Sequence, residues 1–421
     1  MKSPVFYAIP LFFLFMGLEA LFSSLKGRKW YRLNDTLMNL SLGIGSQLFG
    51  VASKIVLLGL FALIQQRYSW FEIPNTWWSF ILCLLTFDFL FYWAHRFSHE
   101  MNFLWGAHVV HHQSDEYNLS VALRQSWIHN LIAFFIFLPI PLLGFQPLTF
   151  GLAAGLDTVY QFWIHTKAIN KMPRWFEYIM NTPSHHRVHH AVNLKYLDKN
   201  HAGVFIIWDR LFGTFQAEEN ADEIVYGVTT PFTSWSPVWA NLHYYVELWR
   251  MARLMHWRDR LRLLVARPGW KPDYLGGFQQ PQEPTSARKK YNADTNHWLR
   301  TYAVAQFIAI IVGAVAFLAF YESISLFYKA FFFAILILSI SIIGAIFEKR
   351  TWVLKAEYAR LLLIIGSLNS FYYYWYHHWM AVMAIGSLVA FVASLVHFRW
   401  SIIRSGLVVR GGDMESAIRH R

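Results

Sequence analysis

The sequence predicts an all-α protein: a polytopic transmembrane helical bundle with a histidine-rich di-metal cap on its cytoplasmic side. Three observations predict it. Hydrophobic residues make up 56% of the 421 positions and charged residues only 15%, a balance that a soluble domain rarely shows. The apolar residues gather in runs close to the ~20 residues that a helix needs to cross a bilayer core. Nine of the nineteen histidines fall within 95–112 and 185–190.

The first apolar run covers about 5–24. No small-residue cleavage site follows it, so it reads as a retained transmembrane helix and not a removed signal peptide. Further runs follow near 37–64, 76–94, 128–150, 299–321, 326–347, 361–376 and 380–398. The stretch 151–165 is apolar but short, and "PIPLLGFQP" (139–147) supplies a turn that would pair it with the run before it. A polar segment, about 166–298, closes an N-terminal catalytic domain (1–298), with a Pro-, Gly- and charge-rich linker at 266–298. The remainder, 299–421, reads as a C-terminal transmembrane helical domain.

The net charge of +12 does not indicate nucleic acid, because the basic residues sit largely in short loops beside the apolar runs. Lys26, Arg28, Lys29 and Arg32 lie in the first loop, Lys349, Arg350, Lys355 and Arg360 in a later one, and Arg399, Arg404 and Arg410 in the tail. Placed on the cytoplasmic side, they bring the chain after residue 94 and the polar segment to that same side. The single cysteine, Cys83, excludes an intrachain disulfide and a cysteine-built metal site.

The histidines carry the chemistry. "HRFSH" sets His95 and His99 at i, i+4, on one helix face. "HVVHH" sets His108, His111 and His112 at i, i+3, i+4, and "HRVHH" repeats that spacing with His186, His189 and His190. His165, in "FWIHT", is a further candidate, and His185 a weaker one. These donors exceed what one tetrahedral site uses, so two metal ions with about four imidazoles each would account for them. The plain alternative, scattered interfacial histidines, explains one such residue better than three spaced clusters on one predicted side. A metal transporter is a rival of another class, but its ionisable groups would line a path through the bilayer and not gather at one edge. His129, His243, His256, His297, His377, His378, His397 and His420 read as structural or surface residues.

Asp88 and Tyr92 share a helical stripe with His95 and His99, which makes Asp88 a candidate to hydrogen-bond a ligand ring. Glu100 is a candidate carboxylate participant beside His99. Asn118, Arg124 and Gln125 are candidates to meet a substrate head group, or equally structural polar groups. An all-nitrogen site suits Fe, Zn, Cu or Ni. Apolar surroundings favour oxygen activation on an apolar substrate, for which iron is the usual metal.

The three histidine motifs, in this order between transmembrane runs, resemble the fatty acid hydroxylase and sterol desaturase superfamily of di-iron membrane enzymes. Within it, "DFLFYWAHRFSHE" (88–100), "WGAHVVHHQSDEYNLSVALRQS" (105–126), "FWIHT" (162–166), "NTPSHHRVHH" (181–190) and "DKNHAGVFIIWDRLFGTF" (198–215) are similar to the alkylglycerol monooxygenase family, as is "RPGWKP" (267–272). The resemblance implies O2- and tetrahydrobiopterin-dependent cleavage of the ether bond of alkylglycerols to a fatty aldehyde and a glycerol derivative. It implies two iron ions held by the histidines of the three motifs, with Glu100 as a participant. The other reading within the superfamily is a fatty acid or sterol hydroxylase or desaturase fed by a separate electron-transfer chain. Two positions depart from the pattern: His201 stands where tyrosine is expected, and Lys167 where an acid is more usual. The expected partners are a lipid substrate, O2 and the membrane. The C-terminal helices, without a comparable cluster, read as packing or homodimer elements. The host membrane would be the inner membrane of a bacterium or the endoplasmic reticulum of a eukaryote.

Overall fold

The structure, a computed structural model, describes residues 4–219, 223–284, 288–292, 295–375 and 380–405. His377, His378, Arg410 and His420 lie outside the described residues. The chain divides into two compact units, Met1–Thr233 with Val238–Tyr291, and Ser234–Pro237 with Asn292–Arg421.

Both units are helical, and the one β-pairing among the described residues is an isolated bridge, Ala191 to Tyr226. The first unit contains α1 (Pro4–Leu25), α2 (Leu33–Tyr68), α3 (Trp77–Glu100), α4 (Asn102–His112), α5 (His129–Ala133), α6 (Pro139–Leu143) and α7 (Pro147–Trp163). It continues through α8 (Arg174–Ile179), α9 (Pro183–His189), α10 (Ile207–Leu211), α11 (Pro237–Ala252) and α12 (Trp257–Val265). The second holds α13 (His297–Phe320), α14 (Leu326–Phe347), α15 (Val353–Trp375) and α16 (Met380–Ser405). Among the described residues six helices are long and apolar enough to cross a membrane: α1, α2, α3, α13, α14 and most of α16. At 1.5 Å per residue, the 22 residues of α1 span about 33 Å, the thickness of a hydrocarbon core.

Two expected spans come out differently. The run 128–150 is not one helix: Pro139 and Pro141 begin a short helix, Gly144 at φ 101° ends it, and α7 starts afresh at Pro147. Proline has no N–H for the preceding turn and fits a helix best at its start, which breaks the run into pieces. The run 361–376 belongs to α15, whose first turns carry Lys355, Glu357 and Arg360, and α15 is not among the six. Arg360 and Glu357 are buried together in the second unit, with Arg360 Nη2 donating to Gln306 Oε1 at 2.6 Å and Tyr302 donating to Glu357.

The site is positioned by a break between two helices. Thr76 and Ser79 cap the start of α3 reciprocally, and α3 runs to Glu100. Met101 alone is extended (φ −126°, ψ 124°), and α4 begins at the next residue. One extended residue redirects the chain, so the histidine end of α3 faces the histidines of α4. On α4, Gly106 is required by close packing, since a Cβ there would lie 2.8 Å from the Tyr245 ring of α11.

Two buried acids in the membrane helices tie these parts together. Glu19 of α1 accepts from Leu119 N at 2.8 Å and from the hydroxyls of Tyr31 and Thr166. Asp88 of α3 accepts from Val204 N at 2.7 Å, Phe205 N at 3.1 Å and Trp208 Nε1 at 2.8 Å. Its approach to that loop passes over Gly203, where a Cβ would sit 2.8 Å from Oδ1 of both Asp88 and Asp157. Gly203→Ala is therefore expected to destabilise the first unit by about 1–3 kcal/mol, the usual cost of overpacking a filled interior. Thermal unfolding of the detergent-solubilised protein measures it, and an unchanged transition would mean that the loop has room to shift.

Candidate metal centre

Nine imidazoles converge in the first unit, all between 2% and 8% exposed. They form two groups. His95 and His99 of α3, His108 and His112 of α4 and His189 of α9 make one, and each offers a nitrogen within 4.8 Å of the others. His111 of α4, His165 just after α7, His186 of α9 and His190 at its C-cap make the other, to the same criterion. The repeated H-x-x-H-H spacing explains how two short helices serve both. In each motif the first and last histidines, i and i+4, share a face and go together, while the middle one, at i+3, turns to the other group. Thus His108 and His112 join the first group and His111 the second, whereas His186 and His190 join the second and His189 the first. The groups adjoin, with the rings of His112 and His190 stacked at 4.4 Å between centroids.

Backbone carbonyls fix which nitrogen carries the proton. His95 Nδ1 lies 2.7 Å from His201 O, His189 Nδ1 3.0 Å from Lys199 O, His111 Nδ1 2.9 Å from Arg124 O, and His165 Nδ1 2.7 Å from Gln161 O. A carbonyl only accepts, so each Nδ1 is an N–H donor and each Nε2 of a neutral ring carries a lone pair. His111 Nε2 and His165 Nε2 then face each other at 3.2 Å with no proton between them. The Nε2 atoms of His99 and His189 are buried without a hydrogen-bond partner. Such lone pairs repel unless a cation lies between them. The separations fit one: nitrogens bound to the same metal at about 2.0–2.1 Å stand roughly 2.9–3.4 Å apart for ligand angles of about 90–110°. His95–His108, His108–His112, His165–His186 and His186–His190 are 2.9, 3.1, 3.0 and 3.2 Å apart at Nε2. The donor set therefore fits two metal ions.

Burial first, and the mutual repulsion of neighbouring rings second, hold His108, His112, His165, His186, His189 and His190 well below the ordinary imidazole pKa. Burial takes His111 down to about 4. At neutral pH these rings are uncharged, the form that binds metal.

Residues 80–214, which contain every one of these histidines, match the fatty acid hydroxylase family. The alkylglycerol monooxygenase of Homo sapiens is 32% identical over 94% of this chain and 88% of its own length. That of Xenopus tropicalis is 34% identical over 84% of this chain and 79% of its own. The chain belongs to the alkylglycerol monooxygenase family. It is an integral membrane monooxygenase with a histidine-built metal site. An ornithine lipid hydroxylase of Rhizobium tropici is 28% identical over 40% of this chain and 51% of its own, so likeness to it is partial where likeness to the family is nearly full-length. No solved structure matches the chain.

Several expected site residues have other work. Asp88 bonds no ligand ring, because its oxygens are taken by the 204–208 segment. Glu100 pairs with Arg96 Nε at 3.1 Å and Arg267 Nη2 at 3.6 Å and belongs to neither histidine group. Arg124 is 1% exposed and directs its guanidinium to Val110 O, Asn39 Oδ1 and Gln113 Oε1 at 2.7–3.0 Å. These bonds close the C-terminal end of α4 and use Arg124 as a structural polar group. Asn118 is wholly buried, its Oδ1 accepting from Ser120 N at 3.0 Å and its Nδ2 donating to Trp30 O at 2.7 Å. Gln125 alone of the three is exposed, donating to Ala122 O at 3.1 Å. His185 belongs to neither group and packs on Phe215. His201 also belongs to neither, although its ring lies 5.1 Å from that of His99; Lys167 sits over the Tyr226 ring.

The segment 198–201 was marked in the sequence only as part of a family motif, and its part in orienting the imidazoles was not foreseen. Asp198 Oδ1 lies 3.3 Å from His99 Nδ1, and with the carbonyls of Lys199 and His201 it orients three of the five imidazoles in one group. Asp198 (φ 54°) and Asn200 (φ 56°) are left-handed, and Asp209 accepts from the N–H groups of His201 and Ala202 at 2.7 and 2.8 Å. Asp and Asn tolerate that conformation better than most residues, the one signal the sequence offered.

Donor number predicts an asymmetry. His111→Ala leaves three imidazoles in its group and is expected to lose about one metal equivalent on dialysis, whereas His99→Ala leaves the four that suffice. Asp198→Ala should weaken metal at the five-histidine group by about 10–100-fold. Elemental analysis after chelator challenge reads both, and equal loss in His111→Ala and His99→Ala would contradict the division into groups.

Proposed function

We propose that the protein cleaves the ether bond of alkylglycerols, using O2, two iron ions and tetrahydrobiopterin as reductant. The observation that carries this reading is near-full-length likeness to relatives named for that activity, joined to two groups of buried imidazoles. One oxygen atom of O2 enters the C–H bond beside the ether oxygen, and the other leaves as water with two electrons and two protons from the reductant. The hemiacetal so formed breaks its C–O bond to give a fatty aldehyde and the glycerol hydroxyl.

Iron, when bound, supplies the O2 reduction and C–H oxidation that side chains do not perform. The five-histidine group would hold one ion and the four-histidine group the other. The chain's own part is to hold these imidazoles neutral and fixed. The carbonyls of Arg124, Gln161, Lys199 and His201 keep the Nε2 lone pairs turned inward. Burial of all nine rings excludes bulk water from the reacting centre. The alkyl chain would lie among the apolar helices of the first unit, its head group toward the centre. The positive-inside rule, applied to the basic loops, favours a centre on the cytoplasmic face, which would be that of the inner membrane in a bacterium or the endoplasmic reticulum in a eukaryote. Helices α13–α16 would serve packing or a homodimer.

The test incubates purified, iron-loaded protein with an alkylglycerol, O2 and tetrahydrobiopterin and follows fatty aldehyde. Aldehyde release that stops without the pterin supports the proposal. A hydroxylated lipid with its ether intact, or turnover that needs a separate reductase, would instead indicate the hydroxylase reading.

A further inference from the structure

Helix α12 carries an apolar face that nothing in the first unit covers. Trp257, Leu261, Leu264 and Val265 are 66%, 62%, 40% and 59% exposed, and Leu254, just before the helix, is 69% exposed. At 3.6 residues per turn the four positions on the helix fall within an arc of roughly 100°. Leu263, on the other side, is buried in a core with Leu248 and Met255. The helix is therefore docked by one face and bare on the other.

Its height is set by the membrane helix beside it. Asn102 is two residues beyond the end of α3, and it bonds the last carbonyls of α12 and those just after it. Its N–H donates to Ala266 O at 2.9 Å, and its Nδ2 to Leu263 O at 3.0 Å and Arg267 O at 3.2 Å. Arg267 also approaches Glu100, the last residue of α3. The bare face thus lies where the spanning helix leaves the hydrocarbon. Arginines border it: Arg260 on one edge, Arg258 and Arg262 on the other, with Arg258 over the Trp257 ring at 5.3 Å. Across 237–267 the basic residues are Arg250, Arg253, Arg258, Arg260, Arg262 and Arg267, against Glu247 and Asp259.

We propose that α12 is an interfacial helix, seated in the headgroup layer of an anionic leaflet. Trp257, Leu261, Leu264 and Val265 enter the boundary of the acyl chains, and the flanking arginines meet lipid phosphates. The occupant of the face is the bilayer, because the face continues the end of a spanning helix and its border is cationic. Because Asn102 opens α4, this seat also sets the depth of the helix that carries His108, His111 and His112 relative to the lipid surface.

The test is nitroxide labelling of the full-length protein in a Cys83→Ala background, in lipid nanodiscs. Labels go to Leu261→Cys, to Leu82→Cys on the exposed face of α3 as a bilayer reference, and to Gln280→Cys in an exposed loop as an aqueous reference. With anionic phosphatidylglycerol present, the label at 261 should collide with dissolved O2 as the one at 82 does. It should be severalfold less accessible to a water-soluble nickel chelate than the one at 280. This protection should weaken in purely zwitterionic discs, and Arg258→Glu with Arg262→Glu should remove the difference between the two lipids. Unchanged metal content certifies that each variant is folded. A label at 261 as open to nickel as the one at 280 in both lipids would overturn the proposal. So would a label shielded from both reagents, which would mean that a protein surface covers the face, or protection that ignores the charge reversal.

Discussion

The first unit answers one constraint: nine buried imidazoles must be held with their nitrogens gathered into two groups. No hydrogen bond relieves His111 Nε2 against His165 Nε2, since both rings have spent their one proton on a carbonyl. Without a cation such an interior is repulsive, and with one it is a ligand sphere. The burial that makes the arrangement costly also keeps the rings neutral and ready to bind.

The supports of that sphere come from distant parts of the chain. The extended Met101 turns α4 against α3, and the segment 198–201 reaches over to hold His95, His99 and His189. Arg124 joins the two ends of the problem, donating to the α4 carbonyl of Val110 while its own carbonyl orients His111. Arg187 does the same for α9, pairing with Glu218 and donating to the carbonyls of Ile169 and Asn170 beyond His165. The buried acids of the membrane helices, Glu19 and Asp88, serve as hydrogen-bond acceptors for the loops around the site. A carboxylate among apolar residues invites a catalytic reading, but here each is satisfied by backbone and side-chain donors of the segments it anchors.

This division explains what was legible in the sequence. Helical class, the long apolar runs and eight of the nine imidazoles were readable because they depend on local periodicity, 20-residue runs and the i, i+3, i+4 spacing, whereas His165 stood alone in its motif. The partition into five and four was not, because it depends on how α4 and α9 face each other. Arg124 and Asn118 read equally as substrate contacts or structural polar groups, since their partners, Val110, Asn39, Gln113 and Trp30, are distant or backbone atoms that a sequence does not pair. The broken run at 128–150 was signalled by its prolines, yet hydropathy alone outweighed them. The run at 361–376 hid the Glu357–Arg360 pair, whose arginine immediately precedes its start.

The central claim is that two metal ions occupy the two histidine groups. The most direct measurement is anomalous diffraction at the iron edge from crystals of the full-length, iron-loaded protein. Two peaks are predicted, one enclosed by His95, His99, His108, His112 and His189 and one by His111, His165, His186 and His190. A single peak, or density outside these rings in a protein that still turns over lipid, would contradict the account.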